Sequence, residues 1–528
     1  VLSGSTTYYW RIVPRNAAGP ATGCANWSFA TAAGAPANDN CANAIAIGAL
    51  PYTSAVINNA AATDDYSAAS SCDGPYKNVW WTVTGICGTM TAITCTGGTN
   101  FDDEIAVYTG SCGSFTQVVC NDDNGAGCTS NYAGVSWTAT TGTTYYITVG
   151  SYWSASATGD LQLNVTSTPA TPSVAPTDIT GTSTVCAGGS GTTLTATGGT
   201  LGTGATIQWF TGSCGGASAG TGASISVNPS STTTYYARYS GQCNTTTCAA
   251  VTVVVVPLPT LSCGSYGPAC SDGADITLSA TPAGGTWSGT GVTGNTFDPS
   301  AGTQTLTYNY TDPNYSVHSI AFSPRSTAGG GTLTLGDDQL STAVPIGFSF
   351  NFFGNTYTNL YVSSNGFISF DAAAYNGCCG GEALPLASAT NNVIAPAWDD
   401  LYPPGGGGIT YLSSGTAPNR TMVVDFSGLN YCCTAGTPMV TTQVVLYETS
   451  NSIEIHTTSI NSIAPGTMGI ENATGTVAVV VPGRNSSSWS ASNEAWRFVA
   501  PGCSNSCQTT ITVNPAATAS AGGPYTAC

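Results

Sequence analysis

Apolar and polar residues alternate along this chain with a period of two, in short runs. Thr144–Val149, Thr234–Tyr239 and Thr442–Tyr447 are examples, and each would place one set of side chains on a buried face. Gly, Asn, Asp and Pro bound the runs, which recur every ~8–12 residues, the rhythm of β-sandwiches. Helical periodicity is absent. The predicted fold class is all-β: tandem β-sandwich modules with one β-domain inserted in another.

Aromatic residues decide between folded and disordered. Charged residues are 6% of the chain, and Gly alone contributes 65 of 528 residues. Such a composition could stay unfolded, but 25 Tyr, 14 Phe and 11 Trp supply buryable surface, largely within the alternating runs. The net charge is −18, with Lys77 the single lysine. Nucleic-acid binding needs clustered Lys and Arg to displace counterions, so it is excluded as a partner class. No run of 18 apolar residues exists, which excludes insertion by a transmembrane helix. The 21 cysteines lack zinc-ligand spacing and imply disulfides in an oxidising, extracellular setting.

The strand Thr7–Val13 has no earlier strands to pair with, and the tail Ala517–Cys528 begins a module that stops. A lone strand cannot satisfy its backbone. The expectation is a window cut from a longer extracellular string, with Cys528 bonded beyond it. Ala35-Pro36, Thr168–Pro172 and Pro257–Pro259 read as stiff linkers.

Four resemblances follow from quoted residues. Tyr8–Gly19 followed by Trp27–Phe29 resembles the last two strands of a fibronectin type III domain, giving 1–34. Asn38–Cys41, Asn78–Val83, Phe101–Tyr108 and Cys120–Asp123, in that order, resemble the bacterial pre-peptidase C-terminal domain over 37–167. That family is jelly-roll-like, and the resemblance implies an accessory role in secretion, substrate contact or adhesion, with calcium bound in some members. Gly181–Cys186, Trp209, Thr234–Tyr236 and Val251–Val256 resemble the immunoglobulin-like repeats of giant Bacteroidetes surface proteins, over 171–256. The resemblance implies an inter-sheet bridge from Cys186 to Cys243.

A second immunoglobulin-like module opens at Pro257 with Cys263, Cys270, Trp287 and Thr305–Tyr310, then lacks its last strand. Gly502–Val513, carrying Cys503 and Cys507, supplies that strand far downstream. The module is therefore expected to be split, 257–313 with 501–515, around an insert of 314–500. Ser363–Phe367, Trp398–Asp400 and Gln443–Glu448 make the insert resemble a nidogen-like extracellular domain. Its vicinal pairs, Cys378-Cys379 and Cys432-Cys433, are expected to cross-link two loops. Residues 516–528 would start the next module, and Cys24 must bridge onward or stay free.

Candidate chemistry is sparse. The two histidines are His318 at the insertion hinge and His456 in Ser452–His456. Alternation puts Ile453 and Ile455 inside and Glu454 and His456 on the solvent face. Gly216–Gly220 fits a nucleophile elbow and Gly289–Gly294 a dinucleotide fingerprint, but neither has the helix those motifs require. Gly405–Gly408 lacks the Lys-Ser/Thr of a phosphate cradle. Tyr152-Trp153 hints at a carbohydrate platform. The acidic doublets Asp64-Asp65, Asp102-Asp103, Asp122-Asp123, Asp337-Asp338 and Asp399-Asp400 are turn formers or hard-cation ligands. Asp102, Asp122 and Asp123 are the candidate calcium ligands, drawn together at one end of the sandwich by a Cys112–Cys120 loop.

The module mix resembles giant proteins exported by the type IX secretion system. It implies a cell-surface adhesive or filament segment that self-associates, is not an enzyme, and contacts glycans or proteins of another cell. A glycan- or protein-binding array with the insert as a projecting head is the first alternative. An accessory region of a secreted hydrolase is the second.

Overall fold

A computed structural model describes residues 1–528 except 1, 5, 32–33, 65–71, 73–74, 153–154, 379, 433–439 and 517–528, and except the side chains of 462–464. The described residues contain strands and three single-turn 3-10 segments, and no α-helix. The fold is all-β, tandem sandwiches, as the alternation predicts. The chain forms two compact units: residues 1–176 with 198–207 and 238–247, and residues 177–197, 208–237 and 248–528.

The first unit begins with a two-stranded ribbon, Thr7–Trp10 against Trp27–Ala30. Trp10 stacks on Trp27 at 4.9 Å and Tyr8 on Phe29 at 5.7 Å. Two strands cannot bury such a face, and Trp10, Trp27 and Phe29 all stay nearly half exposed. The Cys24 thiol is free.

A sandwich follows. One sheet runs Ser114–Asn121, Asp103–Ser111, Thr144–Ser151, Tyr76–Thr84, Ile45–Ile47. The facing sheet runs Gly134–Ala139, Gly88–Ile93, Asn164–Pro169, Tyr52–Thr53. Val79, Trp81, Ile105 and Val107 of the first meet Met90, Ala92, Val135 and Trp137 of the second in one core. Adjacent Trp80 points to the other face, against Tyr108 and Cys41, as the two-residue period demands.

The expected Cys112–Cys120 loop is wrong. Cys112 lies at the tip of the hairpin that pairs Ser111 with Ser114, while Cys120 pairs with Ala106 near its open end. Eight residues of extended strand separate them by about 25 Å, far beyond the ~7 Å a disulfide spans. Cys112 instead bonds Cys41, and Cys120 bonds Cys72. Cys95–Cys128 closes the same module.

The expected Cys186–Cys243 bridge is also wrong. Cys186 pairs with Val256 at one end of a parallel ladder. Cys243 sits in the turn after Thr233–Ser240, at the opposite end of the hairpin that pairs Thr233 with Val253. Cys243 bonds Cys87, and Cys186 bonds Cys503. Both bonds leave the 171–256 segment.

In the second unit, Asp178–Thr180, Thr192–Thr197 and Ser224–Val227 form one layer of a sandwich around fully buried Trp209. Farther along, Ser504–Ile511 pairs over its whole length with Gln304–Thr311, from Thr311↔Ser504 to Gln304↔Ile511. Cys263–Cys507 and a core of Trp287, Phe297, Leu306, Tyr308 and Ile511 hold these flanks together. Between the flanks lies an extensive sheet system centred on Ile453–Glu471, which pairs with Val440–Tyr447, Val393–Trp398 and Ser487–Val499. Phe350, Phe352, Phe426 and Phe498 fill its core. Its entry and exit strands pair directly, Ser316 opposite Val499. Cys270, Cys378 and Cys432 are disulfide-bonded, whereas Cys379, Cys433 and Cys528 lie outside the described residues.

Candidate functional site

The strand Ile453–Glu471 carries a buried polar cluster in the second unit. Ile453 and Ile455 are buried in the core, as alternation predicts. Glu454 and His456 should then face water, and they do not: they are 4% and 2% exposed. The solvent-face assignment of His456 is thus overturned. The polar side of the strand is covered by residues 321–325 and by two backbone carbonyls of the 178–256 sandwich, which no strand-level pattern encodes.

Arg497 stands opposite Glu454 in the ladder. Its Nε and Nη2 donate to Glu454 Oε1 at 2.8 and 2.6 Å. Its Nη1 donates to the carbonyls of Ser183 and Thr252 at 2.6 and 2.7 Å. The other carboxylate oxygen accepts the Tyr447 hydroxyl at 2.6 Å and lies 2.9 Å from His456 Nε2. His456 Nδ1 accepts the Ser323 N–H at 3.3 Å, which assigns the proton to Nε2. Burial by itself would raise the Glu454 carboxyl, but Arg497, His456 and Tyr447 together hold it far below the usual carboxylate range. Burial and the Glu454 charge push the Tyr447 hydroxyl up.

The network extends outward. Gln443 Oε1 accepts the Arg325 N–H at 2.6 Å, and its Nε2 donates to the Arg325 carbonyl at 3.0 Å and to Asp425 at 3.3 Å. Arg325 reaches Asp178 of the 178–256 sandwich at 3.3 Å, and Ala321 N donates to Thr252 Oγ1 at 2.9 Å. His318 bonds Ser316 at 3.0 Å, and burial with the nearby Arg497 charge lowers its pKa. A buried charge needs its partner and its remaining hydrogen bonds satisfied. Here both are met, which yields a rigid dock between the insert and the sandwich before it. Both oxygens of the Glu454 carboxylate are committed within the insert, to Arg497, Tyr447 and His456.

The candidate calcium ligands occupy one neighbourhood of the first unit. Asp102 Oδ2 accepts Asn131 Nδ2 at 3.1 Å, and its other oxygen is buried without a hydrogen bond. Burial raises the Asp102 carboxyl, and the charges of Asp123 and Asp122 raise it further. Asp122 Oδ1 accepts the Asp123 N–H at 3.0 Å. Asp103, part of an acidic doublet but not one of the three candidate calcium ligands, is fully buried, its Oδ2 lacks a partner, and burial pushes it up to about 8.

Among the described residues, the ligand trios within 4.8 Å of one another are Cys72/Glu104/Cys120 and Asp337/Asp400/Cys432, and Asp102/Asp122/Asp123 is not one of them. The cysteines of both trios are disulfide-bonded and offer no thiolate. Asp338 accepts Asn365 Nδ2 at 2.9 Å and Asp399 accepts the Asp400 N–H at 2.8 Å, the work of turn formers. Asp64 accepts the Lys77 N–H at 2.7 Å; Asp65 and Trp153 lie outside the described residues.

The glycine motifs fall in turns and strands. Gly216 precedes the strand Ala217–Thr221, Gly289 follows Thr286–Ser288, and Gly408 opens Gly408–Ser414. Trp80, Trp81, Trp209 and Trp398 are core residues.

Residues 169–257 match the family model described as "Ig-like domain CHU_C associated", and residues 293–510 match the one described as "NIDO related". No protein with a curated description matches the chain. A solved structure, the N-terminal eight Ig domains of Down Syndrome Cell Adhesion Molecule isoform 1.30.30, aligns at 11% identity over 81% of this chain, with a TM-score of 0.16. The chain spans 66% of that structure's length, and at that TM-score the alignment carries no argument. Its disulfides imply an oxidising setting, and the chain is a multidomain all-β protein of extracellular type that is similar over 169–257 to the Ig-like family model and over 293–510 to the NIDO-related one.

Proposed function

We propose that this chain is a structural, adhesive segment of a large extracellular fibre, anchoring a cell to a surface, prey or substrate through filament assembly. One observation carries the reading: the acid, base and guanidinium that an active site would use, Glu454, His456 and Arg497, are buried and hydrogen-bonded to one another, and Arg497 also joins the insert to the sandwich before it. Cohesion between modules is what a fibre requires of its interior. A projecting ligand-binding head would instead keep its polar side chains toward water.

Export by the type IX system of a Bacteroidetes cell is part of the same reading, supported by the immunoglobulin-like and nidogen-like module mix. Calcium would be held by Asp102, Asp122 and Asp123, a reading supported by the buried, partnerless oxygen of Asp102 and the mutual repulsion of the three carboxylates. Negative-stain microscopy of the concentrated chain tests the assembly. Laterally ordered filaments are expected, and separate flexible chains at every concentration would overturn it.

A further inference from the structure

We propose that two disulfides make the second unit a tension shunt, so that a pull along the chain passes the NIDO-related insert without loading it. Cys186–Cys503 joins residues 317 apart in sequence, and Cys263–Cys507 joins residues 244 apart. Their Cα atoms are 5.6 and 5.9 Å apart, so neither bridge can lengthen appreciably. Residues 264–502 lie inside both loops. A chain pulled at its ends straightens along its shortest covalent path, and that path never enters a closed loop.

Upstream connectivity leads into the shunt. Cys87–Cys243 carries the path from the first sandwich to residue 243. From Cys243 the backbone runs on to Cys263 and leaves through Cys507, or runs back to Cys186 and leaves through Cys503. The two exits are redundant: breaking either bond leaves the other as a bypass. The insert's own ends fit the role of a side load, because Ser316 and Val499 are direct ladder partners and exit side by side. Its Arg497–Glu454 dock therefore holds while neighbouring residues carry force.

The inference deepens the structural role proposed above, yet its test does not depend on what the chain adheres to or whether it assembles. The full oxidised chain is tethered at its two ends and stretched. Unfolding of residues 264–502 would release on the order of 60–80 nm at ~0.35 nm per residue, allowing for the loops closed at Cys378 and Cys432. The expected trace of the wild type contains no step of that size. Alanine at Cys186 and Cys503, or at Cys263 and Cys507, leaves the trace without it. Cys270 lies within 264–502 and is itself disulfide-bonded, so it too is removed: alanine at both pairs together with Cys270 releases the step, and so does full reduction of the prefolded wild type under tension, which needs no variant to fold. An insert-sized step in the oxidised wild type or in either single-pair variant overturns the proposal, as does its absence after full reduction.

Discussion

Arg497 and Glu454 face each other across an antiparallel ladder with Nη2 2.6 Å from Oε1, both almost fully buried, and the same guanidinium caps two carbonyls of a different sandwich. One residue thereby neutralises a buried acid and fastens two domains. A loss at Arg497 therefore acts both inside the insert and at its seat.

The Arg325–Asp178 pair sits at the rim of the same contact with a third of each side chain exposed. Screening and side-chain entropy leave such pairs with roughly 0–1 kcal/mol. Asp178→Asn is expected to lower the chemical-denaturation stability of the second unit by less than about 1 kcal/mol. A loss of several kcal/mol would show that the rim, not the buried pair, holds the dock.

Acid should loosen the second unit. The Glu454 carboxyl is held far below its unfolded value of about 4.3. A depressed acid contributes stability that is complete above the unfolded pKa and is lost as pH falls below it. Denaturation midpoints are expected to be flat from pH 7 to pH 5 and to fall below pH 4, and Glu454→Gln should flatten that fall. An unchanged acid limb in Glu454→Gln would contradict the assignment.

Asp103 predicts the opposite slope in the first unit. Burial pushes its folded pKa up to about 8, against an unfolded value of about 3.9. The penalty for ionising it is absent below pH 4, grows as pH rises and is complete above 8. In chelator, Asp103→Asn is expected to raise the melting temperature at pH 9 and to change it little at pH 4. Equal effects at both values would refute this.

Calcium gives a separate test. Adding Ca²⁺ is expected to raise the melting temperature of the first unit, and Asp102→Asn should abolish the rise. A melting curve indifferent to Ca²⁺ and to chelator would leave Asp102, Asp122 and Asp123 as turn formers alone.

Disulfide connectivity can be read by non-reducing peptide mapping. Cys186 peptides are expected joined to Cys503, Cys243 to Cys87, Cys41 to Cys112 and Cys72 to Cys120. Recovery of a Cys186–Cys243 or Cys112–Cys120 peptide would contradict the fold described here.

Period-two alternation made the strands legible, down to Trp80 and Trp81 on opposite faces of one strand. The strand completed by Ser504–Ile511 was legible too, because a module missing its last strand leaves an unpaired edge. Pairing of cysteines was not legible, since it depends on which end of a hairpin each one occupies, as Cys112 and Cys120 show. The dock was hidden for a related reason. Glu454 and His456 have the spacing of a solvent face, and only the covering segment 321–325 and the sandwich turn that face inward. The one available signal was Arg497, a rare cation in a chain with 8 Lys and Arg, set in the apolar stretch Ala495–Val499.

The most direct measurement is a denaturation cycle on the full chain: wild type, Arg497→Met, Glu454→Gln and the double variant. If the buried pair docks the insert, each single change costs roughly 3–5 kcal/mol, because it strands its partner's charge or donors. The double variant should then cost much less than the sum of the two. Single losses below about 1 kcal/mol that simply add, as exposed pairs do, would contradict the account.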